Sequence, residues 1–337
     1  MLAFLTRLSP GDLPDAGEAG CVLGGAVLGQ LDSDVVPAWP EQRIFAPLEG
    51  STATSLREIW HSAVPYTAGN SEGIAWSRAG GILYGVIELD EAAFSGVGER
   101  SPLQAASQEA YARIFRLLDA QGLPQLWRVW NYFADINGES HGLERYRQFN
   151  IGRQDAFLAC ARRATGNVPA ACAIGLAGGP LSIAFMAGEQ PATAIENPRQ
   201  VSAYDYPADY GPRSPTFSRA VLAALPGQEI LFVSGTASIV GHRTVHAGDA
   251  AAQCREGLAN IAAVVDAANR QCRSAAYTLD DLSYRVYVRH VSDLGRVKEA
   301  LAERLGAATD IVCMLADICR ADLLLEIEAT AIHALAG

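Results

Sequence analysis

The pattern of apolar and polar positions along the chain occurs twice, in two stretches that share the element order β-β-α-β-α-β-β. The earlier stretch predicts strands at 74–77 and 82–89, a helix at 103–118, a strand at 127–136, a helix at 143–164 and paired strands at 170–176 and 181–187. The later stretch predicts strands at 217–223 and 229–234, a helix at 249–268, a strand at 284–290, a helix at 294–305 and paired strands at 311–318 and 323–332. The chain is therefore predicted to be α+β.

Residues 1–70 differ from these two stretches. They contain strand-like runs such as 21–28 and many turn residues, which is typical of a third, degenerate unit. A loop at 197–215, rich in Pro, Tyr and Asp, joins the two clear copies. We therefore predict three units, at 1–70, 71–200 and 201–337.

The last strand of the later copy breaks its apolar pattern with carboxylates. Side chains alternate along a strand, so Glu326 and Glu328 share one face and Ile327 takes the other. Superposing 181–187 on 323–329 puts Ala184 at the place of Glu326 and Met186 at the place of Glu328. A core position with a carboxyl group predicts a raised pKa and a general acid at neutral pH. The alternative is a half-exposed edge strand whose two glutamates meet water.

Composition and net charge limit the classes of molecule that the chain is expected to bind. The 337-residue chain is 50% hydrophobic with a net charge of -11, which argues against a nucleic-acid scaffold. An anionic small substrate would then need a local pocket of arginines. The N-terminal segment lacks a basic n-region and no apolar run could span a bilayer, so we predict a cytoplasmic protein without a membrane partner.

Metal and disulfide sites are not predicted. The seven cysteines form no Cys-x-x-Cys pair, which favours free thiols. His242 and His246 have the spacing of a helical metal pair, but they flank an extended or loop segment and no glutamate lies between them.

The ending Leu-Glu-Ile-Glu-Ala-Thr-Ala at 325–331, preceded by a helix and by a strand with Cys313, resembles the C-terminal signature of the RidA/YjgF family. Members of that family are trimers of small α+β subunits with active sites at subunit interfaces. Its imine deaminases place an arginine two residues before the cysteine. The chain has Ile311 there, which disfavours imine deamination.

Over nearly its full length the chain resembles the chorismatase family. The resemblance rests on the segments 128–137, 144–157 and 232–242 and on the strand around Glu326. It implies three RidA/YjgF-like, chorismate mutase-like units in a pseudo-threefold arrangement within one chain. A chain built in this way is expected to be a monomer. The resemblance also implies a cleft site between the central and C-terminal units, no cofactor and no metal. The glutamate matching Glu326 would protonate the enolpyruvyl methylene of chorismate.

Chorismate carries two carboxylates, so arginines are the expected anchors. We predict Arg153, which follows a glycine in a family-matching segment, and Arg213 in the 197–215 loop. Tyr206 and Tyr210 are candidate hydrogen-bond donors, and Tyr132 is a further candidate for substrate binding. For each arginine the alternative is a surface side chain.

Two small residues bear on the product. Cys319 and Gly235 resemble the subgroup that aromatises chorismate to 3-hydroxybenzoate, whereas the hydrolytic subgroup has alanine at both positions. We therefore predict a lyase that releases 3-hydroxybenzoate and pyruvate, with Cys319 beside Glu326 in the catalytic site. The alternatives are a hydrolytic chorismatase giving a dihydroxycyclohexadiene carboxylate, a member that also gives 4-hydroxybenzoate, and a non-catalytic RidA-like module that binds a metabolite.

Overall fold

The computed structural model describes residues 4–8, 22–29, 37–49, 55–95 and 100–335, with the backbone alone for 4–8. Within these ranges the chain forms three larger β-sheets and four α-helices, so the predicted α+β class is confirmed. None of the described helices is both long and apolar enough to cross a membrane.

The largest sheet has seven strands. In spatial order they are β20 (Asp317–Ile318), β11 (Ala170–Leu176), β8 (Gln125–Ala134), β12 (Leu181–Gly188), β7 (Ile82–Leu89), β6 (Ile74–Ala79) and β5 (Thr67–Ser71). Helices α1 (Pro102–Gln121) and α2 (Arg145–Ala159) pack on one face through a core that includes Ile114, Phe149 and Phe185. The helices bury the odd-numbered face of β12 and leave Ala184 and Met186 on the opposite face.

The second sheet has six strands. In spatial order they are β13 (Thr193–Ile195), β14 (Ala220–Leu225), β15 (Gln228–Thr236), β21 (Leu325–Ala334), β18 (Ser283–Val288) and β19 (Ile311–Leu315). Helices α3 (Ala250–Asn269) and α4 (Leu294–Ala302) cover one face of it. Asp249 caps α3 by accepting a hydrogen bond from the Ala252 amide at 3.0 Å, which satisfies an amide that has no partner within the helix.

The third sheet has four strands, in the order β1 (Phe4–Leu8), β4 (Ser55–His61), β2 (Val22–Gly29) and β3 (Glu41–Ile44). No helix occurs among the described residues that precede β6. Two short ribbons complete the strands, β9 (Glu139–Ser140) with β10 (Leu143–Glu144) and β16 (Ile239–Val240) with β17 (Arg243–Thr244). Cys21 lies outside the described residues.

The two predicted copies of β-β-α-β-α-β-β are confirmed as element orders, but the predicted pairing of their last two strands is wrong. In the seven-stranded sheet, β8 lies between β11 and β12, parallel to the first and antiparallel to the second. In the six-stranded sheet, β18 lies between β19 and β21 with the same orientations. The strand that precedes the second helix therefore lies between the last two strands, because the helical crossover returns the chain to pair in parallel on one side of it and the last strand pairs antiparallel on the other.

The faces of the three sheets that carry no helix pack against each other in one shared core. Buried residues from all three sheets contribute to it, among them Leu23, Trp60, Trp130, Phe232 and Met314. The seven- and six-stranded sheets are also joined at their edges, because β20 follows β19 in the chain but pairs antiparallel with β11. A cavity lies at this junction.

Candidate active site

A cavity of about 550 Å³ lies where the seven- and six-stranded sheets meet. β11 and α2 line one side of it. The other side consists of β15, the start of β21, the turn that follows β20 and the segment from Tyr206 to Arg219. Its volume falls within the range of about 300–1,000 Å³ that is typical of small-ligand pockets.

Glu326 lies at the inner end of this cavity because of the alternation along β21. Leu325, Ile327 and Ala329 pack in the core beneath α3 and α4, so Glu326 and Glu328 face the other way. β21 is an interior strand between β15 and β18, and the Glu326 residue is only 4% exposed. The edge-strand alternative is therefore wrong, and the predicted inward face is confirmed.

The surroundings of Glu326 favour its acid form. Burial raises the pKa of its carboxyl to about 8, and the nearby negative charge of Glu328 adds to this effect. Arg128, a hydrogen bond from Cys319 and Arg219 act in the opposite direction but are outweighed. The raised pKa favours the protonated form of the Glu326 carboxyl near neutral pH, the form in which a carboxyl group can donate a proton.

Cys319 and Gly235 hold the Glu326 carboxyl from two sides. The Cys319 thiol lies 3.8 Å from Glu326 Oε2, and burial together with the Glu326 carboxyl raises the pKa of this thiol. On the other side, a Cβ atom at position 235 would lie 1.8 Å from Glu326 Oε1. The register between β15 and β21 shifts between Val233 and Thr236, which brings the Gly235 backbone close to this carboxyl. Only glycine fits at 235 with Glu326 in this position.

Five arginines line the cavity of this acidic chain: Arg147, Arg153, Arg219, Arg243 and Arg320. Arg153 is buried, donates from Nη2 to Asn150 Oδ1 at 2.7 Å, and has no hydrogen-bond partner for Nε. Arg219 is also buried, donates from Nη2 to Tyr206 Oη at 2.7 Å, and likewise has an unpartnered Nε. Neither forms an ion pair with a carboxylate in the described part of the chain, although the charge of Arg219 opposes the rise in pKa that burial gives the nearby Glu196 carboxyl. Both guanidinium groups keep an unpartnered Nε with which to bind an anion.

Tyr206, Tyr210 and Arg320 form an aromatic and cationic wall of the cavity. The Arg320 guanidinium carbon lies 4.1 Å from the centre of the Tyr210 ring and 5.3 Å from that of Tyr206. Tyr210 Oη donates to the His242 carbonyl at 2.7 Å, and Arg320 Nη1 donates to the same carbonyl at 2.9 Å. These contacts tie the 197–215 loop to the turn that carries Cys319.

Comparison with known proteins identifies the family. A chorismatase of Streptomyces rapamycinicus is 41% identical over 281 residues, which cover 81% of each chain. The chain belongs to the chorismatase family. The family model described as chorismatase FkbO/Hyg5-like, N-terminal, matches residues 58–187. A 3-hydroxybenzoate synthase of Streptomyces hygroscopicus is 37% identical over 288 residues, 82% of each chain. A crystal structure of a chorismatase has a TM-score of 0.86 at 34% identity and covers 98% of each chain.

In this member of the chorismatase family, the structure brings six of the eight predicted site residues to the cavity: Glu326, Cys319, Arg153, Gly235, Tyr206 and Tyr210. It does not bring Arg213 or Tyr132 there. The Arg213 side chain is 46% exposed and its Nη2 lies 3.5 Å from Asp155 Oδ1, so it follows the surface alternative. Tyr132 lies on the inward face of β8 and is fully buried in the shared core.

Sequence reasoning missed Arg219 and Arg320. Arg219 lies within the predicted strand at 217–223, where its position between Phe217 and Val221 on one strand face was itself a signal of a buried cation. Arg320 directly follows Cys319, so the turn that predicted one site residue also contained the other. The glycine beside Arg153 has a structural role, because a Cβ at Gly152 would lie 2.2 Å from the Gln104 carbonyl oxygen of α1.

Behind the cavity the shared core contains a set of polar side chains that we name the central polar cluster: Glu58, Arg128, Tyr132, Arg285, Tyr287 and Glu328. Glu328 forms ion pairs with Arg128 and with Arg285, the latter at 3.2 Å. Tyr287 Oη donates to Glu328 Oε1 at 3.0 Å. Arg285 Nε donates to Glu58 Oε2 at 2.8 Å, so charged groups in this cluster are paired.

Proposed function

We propose that the chain converts chorismate to 3-hydroxybenzoate and pyruvate, with Glu326 as the general acid. The observation that carries the proposal is a buried carboxyl with a raised pKa at the inner end of a cavity, together with two buried cavity arginines, Arg153 and Arg219, that form no ion pair among the described residues. A dianionic enol ether needs both features, a proton for its methylene carbon and cations for its carboxylates.

In the proposed reaction, Glu326 transfers its proton to the enolpyruvyl methylene, and the ether oxygen stabilises the resulting oxocarbenium ion. The oxygen of the substrate's own C4 hydroxyl, in place of water, then bonds to C3 as the C3–O bond to pyruvate breaks, and the hydroxyl proton returns to Glu326. The C4–O bond of the resulting three-membered ring opens, and the C3 hydrogen is lost as the oxygen gains a proton, which leaves aromatic 3-hydroxybenzoate with no net proton gained or lost. The two products together contain the atoms of chorismate, so neither water nor a redox partner is consumed.

We assign the substrate carboxylates to Arg153 and Arg219. Both guanidinium groups are buried and each has an Nε without a partner, so each can form charge-assisted hydrogen bonds to a carboxylate. Tyr206 is oriented by its contact with Arg219, and Tyr210 by its contact with His242. This assignment keeps the predicted Arg153 and puts Arg219 in the place predicted for Arg213.

The product depends on how the Glu326 carboxyl is held. Alanine at 235 would occupy the space that Glu326 Oε1 takes here, so the acid would have to adopt another position. Similarity to a 3-hydroxybenzoate synthase supports the aromatising outcome, while relatives described only as chorismatases keep the hydrolytic product as the alternative. Neither product needs a cofactor.

We also propose that the three sheets represent three RidA/YjgF-like units, at 1–70, 71–200 and 201–337, in a pseudo-threefold arrangement. The support is the shared core that all three sheets build. Such an internal trimer is consistent with a monomer that works in the cytoplasm, and gel filtration at several concentrations tests the oligomeric state.

Incubating the pure protein with chorismate and separating the products by chromatography tests the function. We expect pyruvate and 3-hydroxybenzoate in equal amounts. Absence of both products would refute the proposed enzymatic activity. Saturable chorismate binding without turnover would instead support a non-catalytic binding module.

The product assignment has its own test. Replacing Gly235 and Cys319 together by alanine should divert part of the product to the dihydroxycyclohexadiene carboxylate. An unchanged product from a folded, active double variant would remove the basis of this assignment.

A further inference from the structure

Glu328 lies two residues after Glu326 on the same face of β21, between the cavity and the central polar cluster. Its carboxylate is paired with Arg128 and Arg285 and accepts a hydrogen bond from Tyr287. It is 3% exposed and does not line the cavity, so it cannot touch a substrate there.

Arg128 is the cation that connects the two glutamates. It lies on β8 within reach of β21, and its guanidinium is fully buried with Glu328 as its ion-pair partner. Its charge also favours ionisation of Glu326. If Glu328 lost its charge, Arg128 would be left as a buried, unpaired cation, with Glu326 as a nearby carboxyl group that could compensate it.

We propose that Glu328 is a positioning residue for the reaction: it occupies Arg128 and holds a negative charge behind the cavity, and thereby keeps the Glu326 carboxyl protonated. The inference rests on the proposed function, because it assumes that Glu326 acts as an acid. Other titratable or charged groups face Glu326 from the surrounding elements: Cys172 on β11, Tyr287 on β18, Tyr146 and Arg153 on α2, Cys319 after β20 and Arg219 before β14.

Neutralising Glu328 leaves Arg128 without its ion-pair partner, whereas Arg285 keeps its pair with Glu58. The two cysteines and two tyrosines have pKa values raised by burial, so they stay neutral while Glu326 titrates. Arg153 and Arg219 keep their contacts to Asn150 and Tyr206. The charge state of Glu326 should therefore follow the Arg128–Glu328 pair.

The test is the pH dependence of pyruvate release in Glu328→Gln. We expect the alkaline limb of kcat to move down by two pH units or so, which lowers the rate at pH 7 about tenfold and leaves the rate at pH 5.5 within about twofold of the unsubstituted enzyme. Glu58→Gln is the matched control, because it also removes a buried carboxylate from Arg285 but leaves Arg128 paired. Its alkaline limb should stay in place.

Arg128→Met gives a second and independent measurement, since removing this cation should move the alkaline limb to higher pH. Shifts of opposite sign in the two variants support the proposal, and a limb that stays in place in either folded variant overturns it. If Glu328→Gln does not fold, Arg128→Met tests the proposal alone: a shift of its alkaline limb to higher pH supports the proposal, and a shift to lower pH overturns it.

The carboxyl stretching band of protonated Glu326, identified by its loss in Glu326→Gln, separates this inference from the proposed function. It should disappear at pH 7 in Glu328→Gln, and its persistence there would overturn the inference. Because the band needs no turnover, failure of the enzyme to use chorismate would refute the function without affecting this result.

Discussion

The cavity and the central polar cluster each contain one glutamate of the same face of β21, and the two carboxyl groups differ in their partners. Glu326 is 4% exposed and Glu328 is 3% exposed, so burial alone does not distinguish them. Glu328 has two arginine partners, whereas Glu326 forms no ion pair within the described residues and is held by a thiol and a glycine. The comparison shows that two equally buried carboxyl groups on one strand face can have different electrostatic surroundings, because arginines pair with one of them and not with the other.

The most direct way to sharpen this comparison is Glu326→Gln. Loss of the proton donor should lower kcat for chorismate by about 10³–10⁴, because positioned general acids contribute effects of up to that size. The variant should fold, since a neutral amide replaces a neutral acid of the same shape. Product chromatography gives the rate and circular dichroism gives the fold; turnover at the unsubstituted rate would exclude Glu326 from the mechanism.

The raised pKa of Glu326 also has a consequence for stability. Its pKa rises from 4.5 to about 8 on folding, so the folded state binds more protons than the unfolded state between these values. The contribution of Glu326 is fully present below pH 4.5 and is lost as the pH rises through 8. Relative to Glu326→Gln, the unsubstituted chain should lose up to about 5 kcal/mol of unfolding free energy across this window. Urea unfolding at pH 5 and pH 9 measures it, and equal pH dependence in both proteins would contradict the raised pKa.

Arg285→Met tests the ion pairs of the central polar cluster. Removing this arginine leaves Glu58 and Glu328 short of a buried partner and should lower the free energy of unfolding by roughly 3–5 kcal/mol. Urea unfolding of this variant at pH 7 gives the loss. A loss below about 1 kcal/mol would show that the cluster does not depend on its ion pairs.

A smaller effect is expected from the cavity arginines. Arg153→Met should raise KM for chorismate about 10- to 100-fold, because one charge-assisted anchor is lost. Arg213→Gln is the matched control, since this exposed arginine lies outside the cavity, and its KM should stay within about twofold. Steady-state kinetics decides, and an equal rise in both variants would remove Arg153 from the substrate site.

The sequence predicted the parts of the molecule that depend on short-range periodicity. The helices and strands followed from apolar spacing. The inward face of β21 followed from the repeat, in which Ala184 takes the position equivalent to Glu326. Spatial strand order was mistaken because adjacency in the chain does not fix adjacency in a sheet with parallel crossovers. Arg213 was predicted to line the cavity and Arg219 was overlooked, because near a loop tertiary contacts decide which side chain turns inward.

The ion pairs of Glu328 could not be predicted either. Its partners Arg128 and Arg285 come from strands far apart in the chain, and their meeting depends on how the sheets pack in the shared core. The strand pattern predicted which face of the strand Glu328 occupies but not the charges that it balances.

The two-residue strand β20 has a consequence for how the site could be divided. It pairs with β11 through Ile174–Ile318 and Gly175–Asp317, and it places Cys319 against Glu326. A chain cut in the 197–215 loop would leave β11 and Arg153 on one fragment and β20, Cys319 and Glu326 on the other. Neither fragment would own a complete site, so activity recovered on mixing them would report that the two halves had recombined with β20 in register.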